Sequence, residues 1–200
     1  MLYNFATWVV RGFYRLIFKI EIEGLDNIPK DKTYVVIANH KSNFDPPLIA
    51  AFLPFKMGFM AKESLFKVFI VGTIIKKFGA FPVKAGGHNI SAIKTAVEIL
   101  KNGRNLLIFP EGKRVFEKGK LEKGKKGAAL IASKAGVGLL PIGICGEYGF
   151  RAKIKLNIGE LIEFDNTNMT SDELERITNQ VAMVRISELC GDKIYEDCCC

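Results

Sequence analysis

Tyr34-Val35-Val36-Ile37-Ala38-Asn39-His40-Lys41-Ser42-Asn43-Phe44-Asp45 is the stretch on which the reading of this chain turns. Its first five residues are apolar and mostly β-branched or aromatic, the composition of a short buried strand. Pro46-Pro47 opens the next segment. A histidine and an aspartate five positions apart therefore sit on a loop where a strand ends, the place where sites gather in open α/β sheets. A neutral imidazole can take a proton from an alcohol near neutral pH, and a carboxylate beside it can fix its tautomer and stabilise the imidazolium that forms. The same residues also fit a plainer pattern. Asp45 before Pro46 matches an acidic helix N-cap followed by proline, and His40 would then be a hydrogen-bonded loop residue.

Outward from this stretch, strand and helix patterns alternate. Lys19-Ile20-Glu21-Ile22-Glu23 alternates as an edge strand ended by Gly24. Residues 46–53 suit a short helix and 57–61 a strand. A helix is expected around Leu65 to Ile75, and a short strand at 80–83. Ile90, Ile93, Val97 and Leu100 recur at helical spacing before Gly103. Asn105 to Phe109 reads as a strand that delivers Pro110-Glu111-Gly112 to a loop. Ala128–Ala135 reads as helix and Leu139–Ile144 as strand. Ala152–Ile158 alternates as a half-buried strand, with Leu161–Phe164 expected as its hairpin partner. Thr170-Ser171-Asp172-Glu173 matches a capping box before a last helix carried by Leu174, Ile177, Val181, Val184 and Ile186. The expectation is a single-domain α/β fold, a mixed β-sheet covered by helices.

The chain has 200 residues, enough for one domain with a sizeable core. It carries 29 basic and 21 acidic residues, a net charge of +8, which favours anionic partners such as phospholipid, a phosphorylated substrate, coenzyme A or nucleic acid. Mean hydropathy is +0.15, and no apolar run reaches the roughly 20 residues of a spanning helix. The five cysteines, Cys145, Cys190, Cys198, Cys199 and Cys200, form no metal-ligand spacing, and without an export signal they read as free thiols in a reducing cytoplasm. No metal site is expected.

Residues 1–19 are apolar or aromatic around most of a helix, with Arg11, Arg15 and Lys19 as one basic stripe. A helix packed on a core usually needs only one apolar stripe. The expectation is therefore an amphipathic membrane-associated helix lying in the headgroup region, its basic side chains reaching anionic lipid. Residues 20–200 would form the remaining domain. Lys113–Lys126 holds seven basic and two acidic residues, a net +5, and reads either as a solvated loop or as a phosphate cradle.

Asn39-His40-Lys41-Ser42-Asn43-Phe44-Asp45 resembles the NHxSxxD block of the glycerolipid acyltransferases, and Phe109-Pro110-Glu111-Gly112-Lys113-Arg114 resembles their FPEGTR block, with Lys113 where threonine is usual. Gly79-Ala80-Phe81-Pro82-Val83 and Leu139-Leu140-Pro141-Ile142-Gly143-Ile144 resemble the second and fourth blocks, in the family's order. The short length and Ile20-Glu21-Ile22-Glu23-Gly24 are most similar to the bacterial lysophosphatidic acid acyltransferases. The resemblance implies acyl transfer from a thioester, acyl-CoA or acyl carrier protein, to a lysophospholipid hydroxyl, at the cytoplasmic face of the cell membrane and with no bound cofactor. It implies His40 as general base and Asp45 as its orienter. It also implies Glu111, Gly112, Arg114 and Lys84 as substrate-binding residues, with Asn39, Ser42 and Pro110 supporting the motifs. The second block departs from the family's pattern, reading Lys84-Ala85 where aspartate and arginine are usual. That leaves a second acceptor open, another lysolipid or glycerol 3-phosphate. A reading from another class, a non-catalytic basic protein on membrane or nucleic acid, would need no His40–Asp45 pair. The aromatics concentrate in the N-terminal helix, which favours lipid over nucleic acid.

Overall fold

The computed structural model describes residues 2–68, 72–73, 75–76, 79–83, 90–164 and 169–194, with side chains from residue 7 onward. Among the described residues, strands and helices follow one another. The strands are β1 (Lys19–Glu23), β2 (Tyr34–Ala38), β3 (Met57–Lys62), β4 (Ala80–Val83), β5 (Asn105–Ile108), β6 (Lys120–Leu121), β7 (Gly138–Cys145), β8 (Lys153–Ile158) and β9 (Lys193–Ile194). The helices are α1 (Leu2–Ile17), α2 (Asp45–Phe52), α3 (Glu63–Phe66), α4 (Ile90–Lys101), α5 (Gly127–Ala135), α6 (Ser171–Arg176) and α7 (Met183–Cys190). Seven strands form one mixed sheet in the order β1-β8-β7-β2-β5-β3-β4. The pair β7–β8 is antiparallel and the other pairs are parallel.

β2 is the middle strand, and all five of its residues are buried. Its side chains alternate between two cores. Tyr34, Val36 and Ala38 join α1 and α2 on one face, while Val35 and Ile37 join α4, α5 and α7 on the other. A strand covered on both faces has no polar side, which explains its unbroken apolar run. β1 is an outer strand. Its exposed Glu21 and Glu23 pair with Lys153 and Lys155 of β8 at 2.8 and 2.7 Å, and its ladder matches the alternation read from the sequence.

Three expectations change. Leu161–Phe164 does not form a hairpin with β8, because β1 and β7 already occupy both edges of that strand; Ile162 bridges Leu139 of β7 instead. The loop 113–126 is not wholly loose: β6 pairs with β9 and buries Leu121. The last helix passes through a π-helical turn, Ile177–Ala182, between α6 and α7. The wider turn rotates the face, so Thr178, Ala182 and Met183 are buried while Val184 is exposed. The capping box at Thr170 is present, with both reciprocal hydrogen bonds.

The N-terminal segment also packs on the rest of the chain. Tyr14 and Phe18 are 2% and 4% exposed and lie inside the core shared with α2. These two residues join the N-terminal segment to the rest of the chain. The basic stripe also has partners: Arg11 donates to the carbonyl of Ala51, and Arg15 lies over the Phe52 ring. Both contacts are with α2. No helix among the described residues is long and apolar enough to cross a membrane.

Candidate active site

β7, β2 and β5 are adjacent and parallel, so the loops that follow them leave at one edge of the sheet. The loop after β2 carries His40 and leads into α2 at Asp45, the loop after β5 carries Glu111, and the loop after β7 carries Tyr148. Sequence segments 70 and 100 residues apart meet there because parallel neighbours must point the same way.

His40 Nδ1 and Asp45 Oδ2 are 2.8 Å apart. Asp45 is fully buried at the first turn of α2. It does not act as the N-cap of that helix; Phe44 occupies the cap position, and no side chain caps it. The carboxylate turns back into the loop instead. Its Oδ2 also accepts the backbone N–H groups of Lys41 and Ser42, each at 2.7 Å, and its Oδ1 accepts the Tyr148 hydroxyl at 2.5 Å. A buried carboxylate with partners on both oxygens is held in one orientation. With Nδ1–H donated to Asp45, the lone pair of His40 stands on Nε2, the nitrogen left for a substrate hydroxyl. The imidazole is stacked on Phe109, centroids 4.0 Å apart and planes 17° apart. The phenylalanine of the Phe109-Pro110-Glu111 run therefore forms a wall against which the imidazole is placed.

Glu111 is buried, and both of its oxygens are taken by backbone N–H groups, that of His40 at 2.8 Å and that of Glu122 at 3.1 Å. It clamps the His40 loop to the residue that follows β6. Burial pushes its carboxyl above the ordinary range, against the pull of those two hydrogen bonds. Val115 completes the clamp, its N–H donating to the His40 carbonyl at 2.8 Å. Asn39 is buried and ties the end of β2 to β7, exchanging two hydrogen bonds with the backbone of Ile144 at 3.0 and 2.7 Å. Ser42 Oγ accepts the N–H of Phe44 at 3.2 Å, a small turn within the loop. Pro110 is buried and its carbonyl accepts from Lys125. Gly112 is exposed with φ +69°, a conformation that favours glycine in the turn Phe109–Gly112.

Arg114 is exposed beside the residue bonded to His40, its guanidinium 5.1 Å from the Phe116 ring centroid. Lys84 lies outside the described residues, as do Ala85 and His88. Lys41 is committed elsewhere, to Asp192 at 2.7 Å, which ties the loop to the end of α7. Burial works against its charge, and the hydrogen bond and charge of Asp192 outweigh that, so its pKa is raised. A groove of about 920 Å³ lined by Tyr34, Phe55, Lys56, Arg104 and Asn105 lies at the opposite edge of the sheet, away from the His40–Asp45 pair.

The acyltransferase family model matches residues 19–145, which include His40, Asp45, Phe109, Glu111 and Glu122 but not Tyr148 or Asp192. The chain belongs to the acyltransferase family. This acyltransferase is 31% identical over 195 residues to the 1-acyl-sn-glycerol-3-phosphate acyltransferase of Bacillus subtilis, covering 94% of this chain and 96% of that one. It is 34% identical over 165 residues to the enzyme of the same name from Streptococcus pneumoniae, covering 78% of this chain and 61% of that one. Among solved structures it is similar to the 1-acyl-sn-glycerophosphate (LPA) acyltransferase PlsC from Thermotoga maritima, with a TM-score of 0.73, 31% identity and coverage of 94% and 79%. The mixed sheet flanked by helices is thus the fold of a known acyltransferase.

Two residues of the arrangement escaped the sequence reading. Tyr148 lies beyond the fourth block, and nothing in its spacing marks it. Phe109 was visible in its block, but its stacking on His40 depends on β5 lying beside β2.

Proposed function

We propose that this acyltransferase moves a fatty acyl group from a thioester to the sn-2 hydroxyl of 1-acylglycerol 3-phosphate, giving phosphatidic acid. The observation that carries the reading is the His40–Asp45 pair, 2.8 Å apart at the edge where three parallel strands end. His40 Nε2 takes the proton of the acceptor hydroxyl as its oxygen attacks the thioester carbonyl. Asp45 holds the imidazole and stabilises the imidazolium. Collapse of the tetrahedral intermediate expels the thiolate, which recovers the proton from His40. General-base assistance of this kind supplies roughly 10²–10⁴ in rate. Since a thioester is already activated, no covalent enzyme intermediate is needed. The N–H groups of Lys41 and Ser42 are engaged by Asp45, so the oxyanion is stabilised by other donors.

The acceptor phosphate falls to the basic run after Glu111, with Arg114 as its best ligand because a guanidinium binds phosphate oxygens in pairs. The names of the similar enzymes support the phosphorylated acceptor. The donor is acyl-CoA or an acyl carrier protein thioester. The anionic membrane is met by the outer face of α1, where Trp8 and Leu16 are 71% and 70% exposed, together with the 85% exposed Phe150 beside it; the Arg151 N–H bonds the Ile17 carbonyl and fixes that neighbourhood. Function on the cytoplasmic face of the membrane follows from the need for cytoplasmic thioester donors.

The test offers purified protein 1-acylglycerol 3-phosphate, other lysophospholipids, glycerol 3-phosphate and uncharged alcohols, each with both thioesters. Phosphatidic acid as the dominant product is the expected result. Preference for an acceptor without a terminal phosphate would overturn the lysophosphatidic acid reading and leave the acyl transfer standing.

A further inference from the structure

Tyr148 sits in the loop between β7 and β8, outside the four sequence blocks and beyond the matched family region. Its hydroxyl donates to Asp45 Oδ1 at 2.5 Å. The other oxygen of that carboxylate serves His40, Lys41 and Ser42. Tyr148 is thus the described partner of Oδ1. The terminal torsion of an aspartate is soft, so a carboxylate bonded through only one oxygen can turn about it. A donor on each oxygen removes that freedom. The Tyr148 ring is itself fixed, edge-on to Phe18 at 5.4 Å and tilted against Phe44 at 5.5 Å. Burial first, and then the charge of Asp45, push the phenol well above its ordinary pKa, so it stays protonated and acts only as a donor toward the carboxylate.

We propose that Tyr148 is a positioning residue for acyl transfer: its hydroxyl fixes the rotation of the Asp45 carboxylate so that Oδ2 stays on His40 Nδ1 while Nε2 takes the acceptor's proton. The proposal rests on the acyl-transfer reading above. It differs from a packing role, because the ring alone fills the space among Phe18 and Phe44, and only the hydroxyl reaches Asp45.

Tyr148→Phe keeps the ring and removes the hydroxyl. The experiment measures kcat and both KM values for wild type, Y148F, D45N and the double variant, with dispersed 1-oleoylglycerol 3-phosphate and oleoyl thioesters of coenzyme A and acyl carrier protein. Y148F should lower kcat about tenfold, the worth of one hydrogen bond to a charged group, with both KM values within about twofold. In the D45N background the same change should cost less than about twofold, because the carboxylate it acts through is gone. Equal losses in the two backgrounds, or an unchanged kcat in Y148F, would overturn the proposal. Should Y148F not fold, 3-fluorotyrosine at position 148 retains both ring and hydroxyl and changes only donor strength; a kcat that does not respond would overturn it equally. A wild type inactive with both thioesters would instead overturn the acyl-transfer reading on which the proposal rests.

Discussion

Glu111 shows how one buried carboxylate can join two segments of a site. Its two oxygens serve two backbone N–H groups on different segments. Glutamine has one carbonyl oxygen and one NH₂, so in either orientation it presents a donor to one of those N–H groups. Glu111→Gln should cost about 1–3 kcal/mol, the usual penalty for a buried donor left unpaired. Thermal unfolding should register it as a fall of several degrees, and an unchanged midpoint would mean that the clamp is not stabilising. The pH dependence has a definite sign. Burial raises the Glu111 carboxyl in the folded protein above its ordinary value. A raised folded value gives a contribution that is complete below the unfolded pKa and declines as the pH climbs through the folded one. The stability gap between wild type and E111Q should therefore be wider near about pH 4 than at neutral pH. The sequence placed Glu111 at the site but not in this role, because a glutamate in a loop carries no sign of which backbone groups it will meet.

α1 divides its residues between two surroundings. Tyr14 donates its hydroxyl to the Phe44 carbonyl at 2.8 Å and packs on Phe18, Phe44 and Phe52, so this helix buttresses the loop that ends at Asp45. Removing residues 1–18 would strip that buttress, and a truncation cannot separate membrane binding from folding. Substitution of the outer face can. Trp8→Ser, Phe13→Ser and Leu16→Ser together change residues that are 71%, 49% and 70% exposed. Each large apolar side chain gains about 1.5–3 kcal/mol on leaving water, so the triple variant should lose sedimentation with anionic liposomes while its melting curve holds. A triple variant that still sediments with the liposomes would count against the interfacial role. The aromatic richness of the helix was legible in the sequence; its division into a packed side and an exposed side was not, since both sides are apolar. The π-turn at Ile177–Ala182 escaped for a related reason. Apolar residues at regular helical spacing continue through Val184, and only the wider turn moves that residue outward.

Across the whole molecule, the central α/β pattern was legible because β2 is covered on both faces and has no polar alternation to confuse it with an edge strand. The His40–Asp45 pair was legible because the two residues stand five positions apart in one short stretch. Their neighbours were harder to read. Phe109 and Tyr148 arrive from β5 and β7, and strand order is a property of the sheet rather than of any local stretch. The same strand order brings Val115, the chain neighbour of Arg114, to the His40 carbonyl. Arg114→Ala should raise the KM for a phosphorylated acceptor about tenfold and change that for the thioester much less. Similar rises for both substrates would place Arg114 outside the phosphate site. The central claim is that His40 is the base, and it is tested most directly by steady-state turnover of purified His40→Ala with 1-acylglycerol 3-phosphate and the thioester that wild type uses. The account expects kcat to fall by at least about 10²–10⁴ with the melting curve intact, whereas near-normal turnover would contradict it.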